Sequence, residues 1–281
     1  MPKRIQSPSS INTFKQCPRK YYYHYILNLP TKPSIHTLRG NVVHEVLEDF
    51  FDIDISSINL TNYPYELRKH AQSVFLKKWQ ANRVQLRGFL PTADQEKFFF
   101  SESLLMVSNW LEQFLERVRT SQSSNFQDIF QKLIPAREQQ YISPKLSVRG
   151  FIDAIEQNGD EVRIIDYKTN AYLDISEEQR LQLGIYSVLY HEKHGKLPNK
   201  VGIFFLRSKP KFISVTQELL DHTVFEINLV HEKTQSVLID DYPLKTSGLC
   251  KMCDFYSMCF KQKSLAEFIA AQKEPQASRP Q

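Results

Sequence analysis

The sequence predicts an α/β fold: a mixed sheet core flanked by helices, with a helical insertion ahead of the sheet and a cysteine cluster drawing on both chain ends. Three observations predict it. Short alternating apolar segments crowd the stretch after Arg137, helix-period segments stand before, between and after them, and the four cysteines split as one near the start and three near the end. The chain of 281 residues is long enough to bury a full core. Hydrophobic residues make up 41% and include 19 Phe and 13 Tyr, which excludes a disordered chain. We expect one domain over 1–270 and a loose polar tail over 271–281.

Ser9 or Ser10 is the expected cap of a first helix ending near Cys17, where Pro18 interrupts it. The aromatic run "KYYYHYILNL" follows, and then "LRGNVVHEVLEDFF", whose Val42, Val43, Val46, Leu47 and Phe50 give the stripe of an amphipathic helix carrying His44. Residues 63–134 add two or three helical stretches, which we expect to form an insertion or lid. Strands are expected in "REQQYIS", "LSVRGFIDAIEQ", "EVRIIDYKT", "KVGIFFLRS" and "KFISVT", with the helix "EEQRLQLGIYSVLYHEKHG" before the fourth. A further helix is expected from about 217 to 239.

Asn158-Gly159 is a strong hairpin signal, and as a two-residue turn it would pair Asp153 with Ile164. Alternation then puts Asp166 and Lys168 on the face that Asp153 shares across the hairpin. The diagonal between the two acids would be about 7–8 Å, close enough to converge on one cation. For any one of these residues a salt bridge or a solvated strand end is an adequate account. The three together on apolar strands favour a metal site, because unpaired buried charge is costly. Hard oxygen ligands suit Mg2+ or Mn2+. Such an ion activates water and neutralises charge on phosphorus, while a lysine stabilises the transition state.

Asp153 followed by Asp166-Tyr167-Lys168 resembles the PD-(D/E)xK nuclease motif, and "LQLGIYSVLY" resembles the Gln-x-x-x-Tyr helix of its RecB-like branch. The resemblance implies a restriction-endonuclease-like core, Asp153 and Asp166 as metal ligands, and Lys168 as catalytic. It implies that Gln182 and Tyr186 contact DNA or support the lysine. "RGNVVHEVLEDFF" matches the branch's Gly-x-x-x-His element and implies His44 as a ligand, while Glu138 matches an acidic position. A lone histidine on such a helix also reads as a hydrogen-bonded core residue, and Glu138 as a strand-surface charge.

Cys17 with Cys250, Cys253 and Cys259 resembles the split signature of iron-sulphur RecB-like nucleases, including AddB nuclease domains and the fourth Cas protein family. That resemblance implies a [4Fe-4S] cluster held by the segment 248–262 together with Cys17; local CxxC spacing alone leaves zinc open. Closing a flexible loop of this length costs roughly 5 kcal/mol, which metal–thiolate binding can offset.

The formal charge of +5 suits a polyanionic partner. In "PRKYYYHY", Arg19, Lys20 and Tyr21 are candidate contacts to single-stranded DNA through phosphate pairing and base stacking, although core packing is the stronger reading for most of the rings. No run is long and apolar enough for a membrane span, and no signal peptide is read at the start, so the expected location is cytoplasmic. The function these features imply is metal-dependent hydrolysis of DNA, on single strands or duplex ends, in CRISPR adaptation or in repair beside a helicase. A noncatalytic iron-sulphur DNA-binding or scaffold subunit is the alternative, and a zinc-clasped phosphate-ester hydrolase stands last.

Overall fold

The computed structural model describes residues 4–90 and 92–273, with side chains to 270. Its helices are α1 Pro8–Gln16, α2 Pro18–Tyr21, α3 Ile35–Asp49, α4 Tyr63–Ala81, α5 Arg83–Phe89, α6 Ala93–Arg119, α7 Phe126–Leu133, α8 Glu177–His194, α9 Gln217–Lys233, α10 Tyr256–Phe260 and α11 Leu265–Lys273. The strands are β1 Ala136–Ser143, β2 Val148–Asn158, β3 Glu161–Lys168, β4 Lys200–Phe205 and β5 Pro210–Ser214. They form one sheet in the order β1-β2-β3-β4-β5. β3 runs antiparallel to β2 and parallel to β4, and β4 runs antiparallel to β5, so the sheet is mixed as expected.

Two compact units divide the chain. One comprises the segments up to Pro33, Ser143–Arg149 and from Val224; the other comprises Ser34–Ile142 and Gly150–Thr223. In the larger unit, α3, α4, α6 and α7 bury Phe50, Phe75, Trp110, Phe114 and Phe130 in one cluster with Ala154, Ile165, Tyr167 and Phe204 of the sheet. Among the described residues the four helices of 63–134 are therefore part of the core and not a lid. Aromatic side chains bury a large area when packed in such a cluster, a stronger pull than any exposed placement would give.

On α8, Ser176 and Gln179 form a capping box and Gly195 closes the far end in the left-handed conformation. Its Gly184 meets α9, where an added Cβ would fall 2.1 Å from Thr223 Oγ1, so only glycine permits that approach.

In the smaller unit the first helix starts earlier than expected. Ser7, not Ser9 or Ser10, is the cap, and Pro8 takes the first turn, where its missing N–H leaves no bond unmade. The aromatic run continues as a π-helical turn, Tyr22–Ile26, and Tyr21, Tyr22 and Tyr23 pack with Tyr242, Phe255 and Phe268. α9 ends at Lys233, short of the expected 239. α11 reaches Lys273, three residues into the stretch expected to be loose, and 274–281 lie outside the described residues. Among the described residues no helix is long and apolar enough to cross a membrane.

Candidate active site and cysteine cavity

The hairpin turn falls at Gly159-Asp160, not Asn158-Gly159. Asn158 pairs with Glu161 and Ala154 with Ile165, with Gly159 at φ 58. The pairing thus shifts by two from the expected Asp153–Ile164 pair. An even shift keeps every side chain on its face. The ladder between the two strands runs as far as Ala154 and Ile165, and just beyond it Asp153 Oδ2 accepts the Tyr167 N–H at 2.7 Å.

Both polar groups of the Tyr167 peptide serve the site. His44 Nε2 lies 3.0 Å from the Tyr167 carbonyl, which can only accept. The Nε2–H therefore points there, and the Nδ1 lone pair faces Asp153 Oδ2 at 3.6 Å. Burial, the largest influence, holds the His44 pKa below the ordinary histidine value and favours this neutral tautomer.

Glu138 joins these two. Ligand atoms of His44, Glu138 and Asp153 all lie within 4.8 Å of one another. Glu138 reaches the group through a left-handed backbone, φ 46, within β1. This conformation costs a non-glycine residue about 1–3 kcal/mol and re-aims its side chain. Burial, followed by the charge of Asp153, raises the Glu138 carboxyl to about 7. Burial and Asp166 likewise push Asp153 up. Two acids held against their preference for water, beside a neutral imidazole, form a donor set that a divalent cation fits, since its charge would relieve both.

Asp166 is 2% exposed and stands in a second arrangement. Its Oδ1 accepts from Gln182 Nε2 at 2.9 Å and from the Tyr186 hydroxyl at 3.4 Å, and Gln182 Nε2 also reaches Tyr186 Oη at 2.8 Å. Asp166 Oδ2 makes no directed hydrogen bond but meets Lys168 Nζ at 2.6 Å. Burial pulls the lysine pKa down, yet the adjacent carboxylate outweighs it and the net shift is upward. Lys168 is an ammonium. Of the expected metal set of His44, Asp153 and Asp166, the first two stand in the close group with Glu138, and Asp166 is engaged by Lys168. Gln182 and Tyr186 grip the lysine's partner carboxylate and not the lysine itself.

Gly150 makes that grip possible. A Cβ there would lie 3.0 Å from the Tyr186 ring, so the absence of a side chain lets α8 lay its tyrosine on β2.

The four cysteines are free and half-buried, and they line one cavity of about 220 Å³ in the smaller unit with Lys20, Phe255, Tyr256 and Phe260. Burial is the first cause that raises Cys259 to about 11, and the neighbouring Cys253, Cys17 and Cys250 add to it. Burial raises Cys253 as well. Thiols that oppose one another's ionisation fit a bound iron or zinc centre, whose charge would release their protons.

Tyr21 is corrected as a nucleic-acid contact. It is fully buried, stacks on Tyr242 at 6.1 Å and bonds through its hydroxyl to Gln6, so no base reaches its ring. Arg19 donates from Nε to the Tyr242 carbonyl at 2.7 Å. Lys20 is bound to Gln16 at 2.9 Å on the surface.

Comparison with known proteins supplies the family context. A family model described as the PD-(D/E)XK nuclease superfamily matches residues 6–260. A solved structure from Eubacterium rectale named "Putative exonuclease" is similar over 89% of this chain and 87% of its own, with TM-score 0.50 and 13% identity, a likeness of fold. The structure of SSO0001 aligns over 88% of this chain and 96% of its own, with TM-score 0.32 and 13% identity. No curated protein matches.

Proposed function

Because the chain belongs to the PD-(D/E)XK nuclease superfamily, we propose that its site hydrolyses DNA phosphodiester bonds with Mg2+ or Mn2+, acting as an exonuclease on single strands or duplex ends. The observation that carries this reading is the convergence of His44, Glu138 and Asp153 beside the Asp166–Lys168 pair. When bound, the divalent ion supplies an activated water and neutralises charge on the phosphate. His44, Glu138 and Asp153 would hold it, the acids giving up the protons that burial now favours. Asp166 would join them as its bond to Lys168 is exchanged. Lys168, an ammonium, cannot take a proton; it donates hydrogen bonds to charge developing on the phosphoryl oxygens. Gln182 and Tyr186 keep Asp166 aimed along the strand.

The cysteine cavity would hold a [4Fe-4S] cluster with a structural role. The donor set and the split chain positions support this, and iron and sulphide analysis with absorption spectroscopy on anaerobically purified protein tests it against zinc. Recruitment beside a helicase or with CRISPR adaptation proteins in the cytoplasm is the biological setting proposed.

The test of function uses end-labelled single- and double-stranded DNA with Mn2+, Mg2+ or EDTA, and the Asp166→Ala variant. Metal-dependent shortening that disappears in the variant, with DNA binding retained, is expected. Wild type that binds DNA and never cuts it would establish the noncatalytic scaffold reading instead.

A further inference from the structure

Beyond the carboxylates and Lys168, a charged cluster closes on the carbonyl of Thr169, the residue that follows the lysine. Arg39 on α3 is 2% exposed, and Glu102 on α6 receives its Nη1 at 2.9 Å. Arg207, just past β4, holds the same carboxylate with both terminal nitrogens, at 2.9 Å to Oε1 and 3.1 Å to Oε2. Both guanidinium groups then reach one acceptor, the Thr169 carbonyl: Arg207 Nε at 3.2 Å and Arg39 Nη2 at 3.4 Å. The carbonyl of Lys168 itself accepts from Leu206 N at 3.0 Å, and Asn109 of α6 holds Leu206 O at 3.1 Å.

The stability return from such a cluster is poor. Two cations share one carboxylate, Arg39 Nε has no partner, and burying charge costs more than one imperfect pairing returns. What the cluster does accomplish is geometric. Planar guanidinium forks fix direction as well as distance, and both converge on one backbone oxygen.

We propose that Arg39, Glu102 and Arg207 form a positioning clamp that fixes the Thr169 carbonyl, one residue past Lys168, and so, with the Leu206 bond to the Lys168 carbonyl, aims the Lys168 ammonium at the reacting phosphate. Glu102 is the keystone, since its carboxylate pairs with both arginines. The clamp ties α6, a helix carrying none of the metal ligands, to catalysis. This inference rests on the nuclease reading for its kinetic consequence, and on the structure alone for its geometric one.

The kinetic test compares wild type with Glu102→Gln and Arg207→Lys on end-labelled single-stranded DNA with Mn2+. A clamp predicts that kcat falls on the order of 10- to 100-fold while KM barely moves, because misplacing a catalytic group by an ångström costs about that much. Mn2+ affinity by titration calorimetry is expected to hold, since the ligands are untouched. Glu102→Gln combined with Arg207→Lys is expected to cost no more than the worse single change, as parts of one device do. If kcat per folded molecule is unchanged, or the loss lies in KM, the clamp is wrong while the nuclease stands.

A second readout does not need cleavage. The Lys168 ammonium signal in 15N-lysine spectra, assigned with Lys168→Ala, is expected to shift or broaden in Glu102→Gln. An unchanged signal overturns the clamp even where wild type proves inactive, an outcome that by itself would sink only the nuclease reading. Should Glu102→Gln fail to fold, Arg207→Lys, at a half-buried position, carries both measurements.

Discussion

At the scale of single residues, the site stores unfavourable states that a cation would resolve. Glu138 combines a left-handed backbone with a carboxyl raised to about 7. Between its ordinary range near 4.5 and pH 7, the folded protein binds more protons there than the unfolded chain. Metal-free stability should therefore lose ground as pH rises through that window. Metal needs the ionised form, so the melting-temperature gain from Mn2+ over EDTA should grow from pH 5.5 to 8, and the trend should flatten in Glu138→Gln. Glu138→Gly should match or exceed wild-type stability, by relieving the backbone, while Mn2+ affinity drops by about tenfold or more. Gln182→Ala should lower stability by about 1.5–3 kcal/mol through the lost hydrogen bond to buried Asp166, readable by urea unfolding. At this scale Asp153, Asp166 and Lys168 were singled out together by residue type and spacing, and His44 by the family resemblance. The importance of the Tyr167 peptide was not, because backbone N–H and C=O groups carry no sequence signature.

At the scale of elements, close approach decides the arrangement. Gly150→Ala puts a methyl group 3.0 Å from the Tyr186 ring and 3.1 Å from Leu189, so α8 must shift from β2. Stability should fall by about 1–3 kcal/mol with activity falling alongside it. Gly88→Ala, in α5 with nothing within 4 Å, should instead stabilise by about 0.5–1 kcal/mol. Thermal melts of the two variants decide this directly. The strands and α8 were readable from alternation and from helical periodicity ending at Gly195. The turn position was not, since Asn158-Gly159 and Gly159-Asp160 are both good two-residue turns and only the packing of both sheet faces selects the second. Nor could helical periodicity over 63–134 distinguish a lid from a core wall, because an amphipathic stripe states that a face is buried and not against what.

At the scale of the whole molecule, the charge of +5 predicts that DNA affinity falls steeply with salt, with a linear dependence of log K on log salt concentration, measurable on an uncleaved Asp166→Ala complex. The sequence alone determined the mixed α/β order of helices and strands and the split positions of the cysteines, because each rests on local spacing along the chain. Tertiary structure alone decided that Glu138 stands with His44 and Asp153, that Tyr21 is a core residue, and that Arg39 and Arg207, joined by Glu102, meet on the Thr169 carbonyl. Those outcomes depend on contacts between distant residues, 63 positions apart for Arg39 with Glu102 and 130 for Arg39 with Thr169, and on burial, which favours one pairing of charges over many that the sequence permits equally.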